Sequence, residues 1–166
     1  MVKETEQHHS KKYLEDKTVL RLSVVGLILS ILGIADSVYL TIAHYTTASI
    51  LACPATAFIN CAKVTSSSYS EILGIPVALL GLGFFVAMFF LQLPVAWRTA
   101  NKVVRYGRVA LAVSGIGMIF WLIFAELDRL RSICLFCTAA HILAFGLFVT
   151  VLIGTSITYG ESIEKA

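Results

Sequence analysis

Residues 133–158, with the sequence ICLFCTAAHILAFGLFVTVLIGTSIT, contain no Asp, Glu, Lys or Arg. A helix needs about 20 apolar residues to cross the hydrocarbon core of a bilayer, and this stretch is long enough. Three further stretches are nearly free of charge: 22–45, where Asp36 is the single exception, 72–97, and 109–125, which is the shortest. Because backbone amides in lipid must be satisfied within their own segment, the four stretches predict four membrane-spanning helices.

The overall composition agrees with a lipid environment. Hydrophobic residues make up 58% of the 166 residues and charged residues 14%, whereas soluble domains are about half apolar and about a quarter charged. This excludes a disordered tail, a coiled coil, a collagen-like fibre and a secreted disulfide-rich knot. The net charge of +3, without basic residues interleaved with aromatic ones, does not indicate nucleic-acid binding.

The predicted fold is an all-α integral membrane protein, a four-helix bundle over residues 21–156. Ten of the 13 Lys and Arg residues lie in or beside the N-terminal tail (1–20), between spans two and three, or in the C-terminal tail (157–166). The positive-inside rule therefore predicts a multi-pass protein with both termini in the cytosol, and we expect it in the plasma (inner) membrane. The outer side then holds a long loop, about 46–71, and a short one, about 126–132. The charged residues of the short loop are expected to form a solvated rim: Glu126, Asp128, Arg129 and Arg131.

All four cysteines fall on the predicted outer side. Cys53 and Cys61 lie in the long loop, and Cys134 and Cys137 form a C-L-F-C motif at the outer end of the fourth span. Disulfides persist outside the cytosol, where thiols are not kept reduced. Since the orientation rests on Lys and Arg alone, the cysteine positions support it independently.

The C-L-F-C motif suits redox chemistry. Its thiols are three residues apart, close enough for a disulfide in the first turn of a helix. Unpaired amides and the macrodipole at a helix N-terminus favour the thiolate, the form in which cysteine is a nucleophile. We expect Cys134 to face aqueous partners and Cys137, one turn deeper, to face the hydrocarbon.

Two other interpretations of the cysteines stay open, namely two structural disulfides and a four-thiolate zinc site. A C-x-x-C pair is a weak structural staple, because it closes a loop of only two residues and removes little chain entropy. Zinc sites usually use two tight pairs, and a charged thiolate at Cys137 would lie in an apolar setting. We therefore favour thiol–disulfide exchange and expect no metal.

The order of the motifs is characteristic. A spaced cysteine pair comes first, then CAKVTSSSYS (61–70), then GIPVALLG (74–81) at the start of the second span, and last C-L-F-C. This order resembles the vitamin K epoxide reductase family, specifically its short prokaryotic members, over about residues 20–156. DsbB-type oxidases have the reverse order, with C-x-x-C in the first outer loop.

The resemblance implies a quinone-dependent thiol oxidoreductase that generates disulfides. Cys134 and Cys137 would be the active-site pair beside a quinone of ubiquinone or menaquinone type, and Cys53 and Cys61 the shuttle pair. In the family's relay a partner thiol attacks Cys61, Cys53 then attacks Cys134, and Cys137 passes electrons to the quinone. Ser67 would position or activate the loop cysteines. Many members carry a fused thioredoxin-like domain; as this chain stops at Ala166, we expect a separate extracytoplasmic partner of thioredoxin fold (DsbA-like).

Two positions depart from the vertebrate members. His141 stands where they have a tyrosine, four residues after the second C-x-x-C cysteine, and residues 75–77 lack the asparagine that binds a quinone carbonyl there. These differences argue against reduction of vitamin K epoxide. His141 and Asp36, the only carboxylate within a predicted span, are candidate quinone contacts; the alternative is that each is a hydrogen-bonding group that packs helices together.

Two other functions remain open at this point. In one, the chain reduces a quinone or quinone epoxide for the sake of the quinone product. In the other, it is a non-catalytic four-span scaffold with structural disulfides. The scaffold predicts that replacing Cys134 or Cys137 lowers stability and removes no activity, whereas both enzymes need these thiols for turnover.

Overall fold

The computed structural model describes residues 2–46, 50–53, 56, 58–99 and 101–164, with side chains described from residue 16 to residue 158 within those ranges. Residues 165–166 of the predicted C-terminal tail lie outside them. The helices are α1 (Val2–Tyr45), α2 (Cys61–Thr65), α3 (Val77–Leu91), α4 (Pro94–Arg98), α5 (Lys102–Phe124) and α6 (Leu135–Glu164). A 3-10 turn covers Ser68–Ser70, a π-helical turn (Ala125–Leu130) continues α5, and an antiparallel hairpin pairs β1 (Glu71–Ile72) with β2 (Ile75–Pro76).

Three helical segments among the described residues are long and apolar enough to cross a membrane: Asp16–Tyr45, Lys102–Leu130 and Leu135–Thr158. The fourth apolar helix, α3, has 15 residues. That length corresponds to about 22 Å, less than the hydrocarbon core of about 30 Å. The helical fold is confirmed, and the count of four spans stays a prediction.

Helix α5 is longer than the charge-free stretch 109–125, because it begins at Lys102 and includes the buried residue Arg108. The Arg108 guanidinium stacks 3.4 Å above the centre of the Trp97 ring. Its Nη1 also donates a hydrogen bond to the carbonyl oxygen of Leu91 over 3.2 Å. Stacking on an aromatic face is a setting that suits a guanidinium, so the helix accommodates this charge.

The charge-free stretch 72–97 is interrupted at its inner end. Helix α3 ends at Leu91, and Pro94, which has no backbone N–H, occupies the first turn of α4. Gln92 is buried at this break. Its carbonyl oxygen accepts a hydrogen bond from the Ser23 hydroxyl on α1, and its side-chain oxygen accepts one from the Trp97 indole over 2.9 Å. The break therefore forms a buried polar junction between helices.

Helix α1 packs against both α3 and α6, and α5 packs against α6 and α3. Gly33 allows the close approach of α1 and α3, because a Cβ there would overlap the Phe85 ring. One of two buried apolar clusters involves α3, α5 and α6: Phe85, Met88, Ala112, Ala144, Leu147 and Val151. This core lies toward the end of the bundle away from the cysteines. The hairpin and α2, between α1 and α3, lie at the cysteine end.

Candidate functional site

Cys134 and Cys137 lie at the start of α6, as their spacing predicts. Cys134 directly precedes the first helical residue, and its Sγ accepts a hydrogen bond from the backbone N–H of Cys137 over 3.3 Å. Its carbonyl oxygen accepts two more from the backbone and hydroxyl of Thr138, both over 2.9 Å. The sulfur thus takes the place of an N-cap acceptor. Both cysteines are free thiols.

The pKa of the Cys134 thiol lies below its ordinary value. The largest cause is a hydrogen bond from the Cys137 side chain, and the backbone amides of Cys137 and Phe136 act in the same direction. Burial and the Glu126 carboxylate oppose the effect without cancelling it. Cys134 therefore forms a thiolate more readily than an ordinary cysteine does, as a nucleophile requires.

The loop cysteines form a disulfide, with the Cα atoms of Cys53 and Cys61 6.1 Å apart. Cys61 is the first residue of α2, and the Asn60 side chain caps this helix by accepting a hydrogen bond from the Lys63 backbone over 2.9 Å. The pairing is the one that the resemblance implies.

A short parallel bridge between Ile59 and Ile133 brings the two cysteine pairs together. The Asn60 N–H donates to the carbonyl oxygen of Ile133 over 3.1 Å, and the Ile133 N–H donates to that of Phe58 over 2.8 Å. Consequently Cys61 and Cys134 share one buried cluster, with Cys53 and Cys137 packed against its edge.

One expectation for the C-L-F-C motif is wrong. Cys134 does not face water; it is 0% exposed. The segment that carries Cys61 covers it, held in place by the bridge to Ile133. Cys137 is partly exposed, and its open side faces a cavity within the bundle.

Three side chains hold the outer segment (the described residues within 50–72) in place and were not predicted from the sequence: Tyr39, His44 and Lys63. The Tyr39 hydroxyl donates to the carbonyl oxygen of Ile50 over 2.7 Å and accepts from the Ala52 N–H over 3.1 Å. Its ring meets Phe136, which lies between the two cysteines of the motif, edge to face at 5.0 Å. The sequence feature that could have predicted this role is an aromatic residue with a polar group near the end of a span.

The other two residues are His44 and Lys63. His44 Nε2 lies 3.4 Å from the Glu71 carboxylate, and its Nδ1 lies 3.3 Å from the Thr65 carbonyl oxygen. Lys63 reaches from α2 to the linker that precedes Cys134. The available signal for Lys63 was its place two residues after Cys61 in an otherwise uncharged stretch.

A cavity of about 480 Å³ lies beside Cys137. Its wall is formed by α1, α3, α5, α6 and the outer segment, and most of it is apolar. This volume falls in the range of about 300–1,000 Å³ that is typical of sites for small molecules and cofactors. A thiol on the wall of an apolar cavity is suited to exchange electrons with a lipid-soluble molecule.

The profile of the vitamin K epoxide reductase family matches residues 24–152. The chain belongs to this family. A direct comparison with curated proteins finds no match. Vitamin K epoxide reductases are quinone-linked in general, and membership supports an oxidoreductase whose disulfides take part in the redox chemistry.

The cavity of this vitamin K epoxide reductase homologue fits a quinone ring. His141 lies on its wall, and within the described part of the chain its Nε2 atom is buried without a hydrogen-bond partner. A ring oxygen placed there would satisfy this atom. Ser67 also lines the cavity, but its hydroxyl donates to the Val64 carbonyl oxygen over 2.8 Å and not to a cysteine.

Asp36 does not line the cavity. Its neighbour Ser37 lines it, and the Asp36 carboxylate nevertheless interacts electrostatically with Cys137. Among the described residues its Oδ2 atom has no hydrogen-bond partner and is buried. A direct contact between Asp36 and a quinone stays a prediction.

Glu126 does not belong to a solvated rim, contrary to the expectation from the sequence. It is 6% exposed and lines the cavity, whereas Asp128 and Arg129 are exposed and form an ion pair over 3.3 Å. The π-helical turn explains the difference. Its wider turn changes the direction of the side chains that follow α5. The Ser132 N–H donates to the Glu126 carbonyl oxygen over 3.1 Å and so closes the turn.

Proposed function

We propose that this protein is a quinone-dependent thiol oxidase that generates disulfides outside the cytosol. It oxidises a separate protein of thioredoxin fold and passes the electrons to a membrane quinone. The observation that carries the proposal is the arrangement of the sulfurs. The loop disulfide and Cys134 share one cluster, and Cys137 lies on the cavity wall. A relay from the outer segment to the membrane interior needs this order.

The first half of the relay is thiol–disulfide exchange. A thiolate of the partner attacks Cys61 and releases Cys53. Cys53 then attacks Cys134 in the oxidised form of the C-L-F-C motif and releases Cys137. The second thiol of the partner attacks the mixed disulfide, so that the partner leaves with its own disulfide and frees Cys61. Cys61 then attacks Cys53, which restores the loop disulfide and releases Cys134. Each exchange forms one S–S bond and breaks one, so no electrons are lost. A loop disulfide beside two free thiols corresponds to one state of such a cycle.

The second half takes place at the cavity. When bound there, a quinone supplies a two-electron acceptor. Cys137 brings the thiol pair to the cavity, and the apolar wall excludes water around it. His141 Nε2 is available to hydrogen-bond a ring oxygen and so to orient the ring. Ubiquinone and menaquinone are both compatible with these contacts.

The membrane arrangement in this proposal keeps four spans, with α3 as the second. Both termini lie in the cytosol of a cell with a plasma (inner) membrane, and the cysteines lie on the outer side. The basic residues near Trp97 and at the start of α5 support this orientation. The short α3 is compatible with a span because the hairpin and α4 extend it at either end.

The test is quinone reduction by the purified protein in detergent, with either a reduced thioredoxin-fold protein or dithiothreitol as electron donor. Cys137→Ala is expected to abolish turnover with both donors. The matched control is Cys53→Ala with Cys61→Ala, which is expected to lose turnover with the protein donor and to keep it with dithiothreitol. This difference separates a relay from general damage to the bundle.

Two outcomes would contradict the proposal. Rapid turnover of a quinone epoxide, in preference to quinones, would show that the quinone product is the purpose of the reaction. Absence of turnover in the wild type with several quinones and donors would favour a scaffold with structural disulfides.

A further inference from the structure

Glu126 takes no part in the relay, yet it lines the same cavity as Cys137. It is the only carboxylate among the described residues that line the cavity. Burying a carboxyl group in a largely apolar wall is costly unless it is compensated. The π-helical turn that aims it inward is an irregularity of a kind that occurs frequently at functional sites.

The Glu126 carboxyl group also adjoins the thiol pair. It interacts with the backbone amide of Cys134, and its charge acts on the sulfurs of both Cys134 and Cys137. The other titratable groups on the cavity wall are His44, Tyr69, Cys137 and His141. Of the carboxylates, Asp36 acts electrostatically on Cys137 but does not reach the wall. Glu126 therefore combines contact with the cavity and interaction with both sulfurs.

We propose that Glu126 is the proton carrier between the Cys134–Cys137 pair and the quinone, a role that rests on the oxidase function proposed above. In the overall step two S–H bonds break and one S–S bond forms, while the quinone gains two electrons and two protons as two O–H bonds. Glu126 takes one thiol proton and delivers it to a quinone oxygen, so it ends the cycle unchanged. Its place on the wall, next to the sulfurs, gives the proton a short path through an otherwise apolar region.

The variant that tests this role is Glu126→Gln, which keeps the size of the side chain and removes its proton exchange. The matched control is Asp128→Asn, a change to an exposed carboxylate in the same turn. Both variants are made in a protein that also carries Cys53→Ala and Cys61→Ala, and each is compared with that protein. Dithiothreitol is the donor, so that the loop cysteines have no influence on turnover.

Two readouts are expected to change together, the rate of quinone reduction and the pH at which the thiolate forms. Because proton transfer by a positioned side chain contributes about 10²–10⁴-fold, Glu126→Gln should lower kcat for quinone reduction about 100-fold and leave KM for the quinone nearly unchanged. At the same time, the ultraviolet absorbance of the thiolate should appear at lower pH, because the negative charge that opposes thiolate formation at Cys134 is gone. Asp128→Asn should change neither. Glu126→Asp should recover part of the activity.

The outcomes are distinguishable. Equal kcat in wild type and Glu126→Gln would overturn the role of Glu126 while leaving the oxidase intact. A loss of kcat without a shift of the thiolate titration would overturn it too, since that combination indicates damaged packing. A wild type that reduces no quinone would overturn the oxidase function and, with it, this role.

Discussion

The Lys63 ammonium group donates a hydrogen bond to the carbonyl oxygen of Leu130 over 2.7 Å. A second hydrogen bond joins it to the Ser132 hydroxyl over 3.2 Å. Lys63 lies two residues after Cys61, and Ser132 lies two residues before Cys134. One side chain therefore ties the helix of the loop disulfide to the linker of the free thiols. Holding two reacting groups in place removes much of the entropic cost of their encounter.

Replacing Lys63 by methionine should slow exchange between the two cysteine pairs, because the apolar part of the side chain stays while both hydrogen bonds are lost. We expect turnover with the thioredoxin-fold donor to fall about tenfold, which corresponds to about 1.4 kcal/mol, near the low end for a hydrogen bond to a charged group. Turnover with dithiothreitol in a background of Cys53→Ala with Cys61→Ala should be unchanged, because no exchange between the two cysteine pairs then takes place. Stopped-flow measurement of quinone reduction with each donor would show this.

The control is Lys102→Met, at the start of α5 and remote from the cysteines. A loss of activity with both donors, or an equal loss in the control, would contradict a specific role for Lys63.

The reactivity of Cys134 should depend on the hydrogen bond from Cys137. Since this hydrogen bond is the largest cause of the lowered pKa at Cys134, Cys137→Ala should move the appearance of the Cys134 thiolate to higher pH. The sign follows from the charge: a donor stabilises the thiolate, and without it the proton is held more tightly. Thiolate absorbance as a function of pH, with the loop cysteines replaced by alanine, measures the shift.

Cys137→Ser is the matched control, because its hydroxyl remains a donor. It should titrate between the wild type and the alanine variant. Titration of Cys137→Ala at or below the pH of the wild type would show that the Cys137 side chain does not stabilise the thiolate.

Packing of α1 against α3 should be sensitive to a single methyl group. A Cβ at Gly33 would overlap the Phe85 ring, whereas a Cβ at Gly83 meets no atom within 4 Å. Gly33→Ala should therefore lower the free energy of unfolding by about 1–3 kcal/mol, the usual cost of overpacking a core. Gly83→Ala should be tolerated. Thermal unfolding of both variants in detergent tests the difference, and equal midpoints would contradict this packing.

Local patterns located the long apolar helices and the start of α6, but not where the helices begin and end. Charge-free stretches locate the long helices because lipid imposes one requirement on every residue of a span. The C-L-F-C motif predicts a thiol pair near the N-terminus of the last span, and in the structure Cys134 directly precedes α6 while Cys137 lies in its first turn. His141, one turn further, lies on the cavity wall as its spacing suggests.

What the sequence could not reveal depends on contacts between distant segments. Cys134 is enclosed because the backbone at Ile59 pairs with that at Ile133, and no local pattern indicates this bridge. Glu126 is charged and follows an apolar run, a pattern typical of a solvated rim; only the π-helical turn reverses its direction. Arg108 is buried because Trp97, from another helix, provides a face for it.

The junction around Gln92 and Trp97 has a mechanical consequence. Its contacts join α1 through Ser23, α3 through Leu91, and α5 through Arg108. The Trp97 ring also fills the space at Gly154 of α6. The helices are thus clamped together at the end opposite the cysteines, while a hollow separates them at the other end. We therefore expect the helices to separate more readily at the cysteine end than at the opposite end, so that a bulky molecule can enter the cavity while the rest of the bundle stays packed.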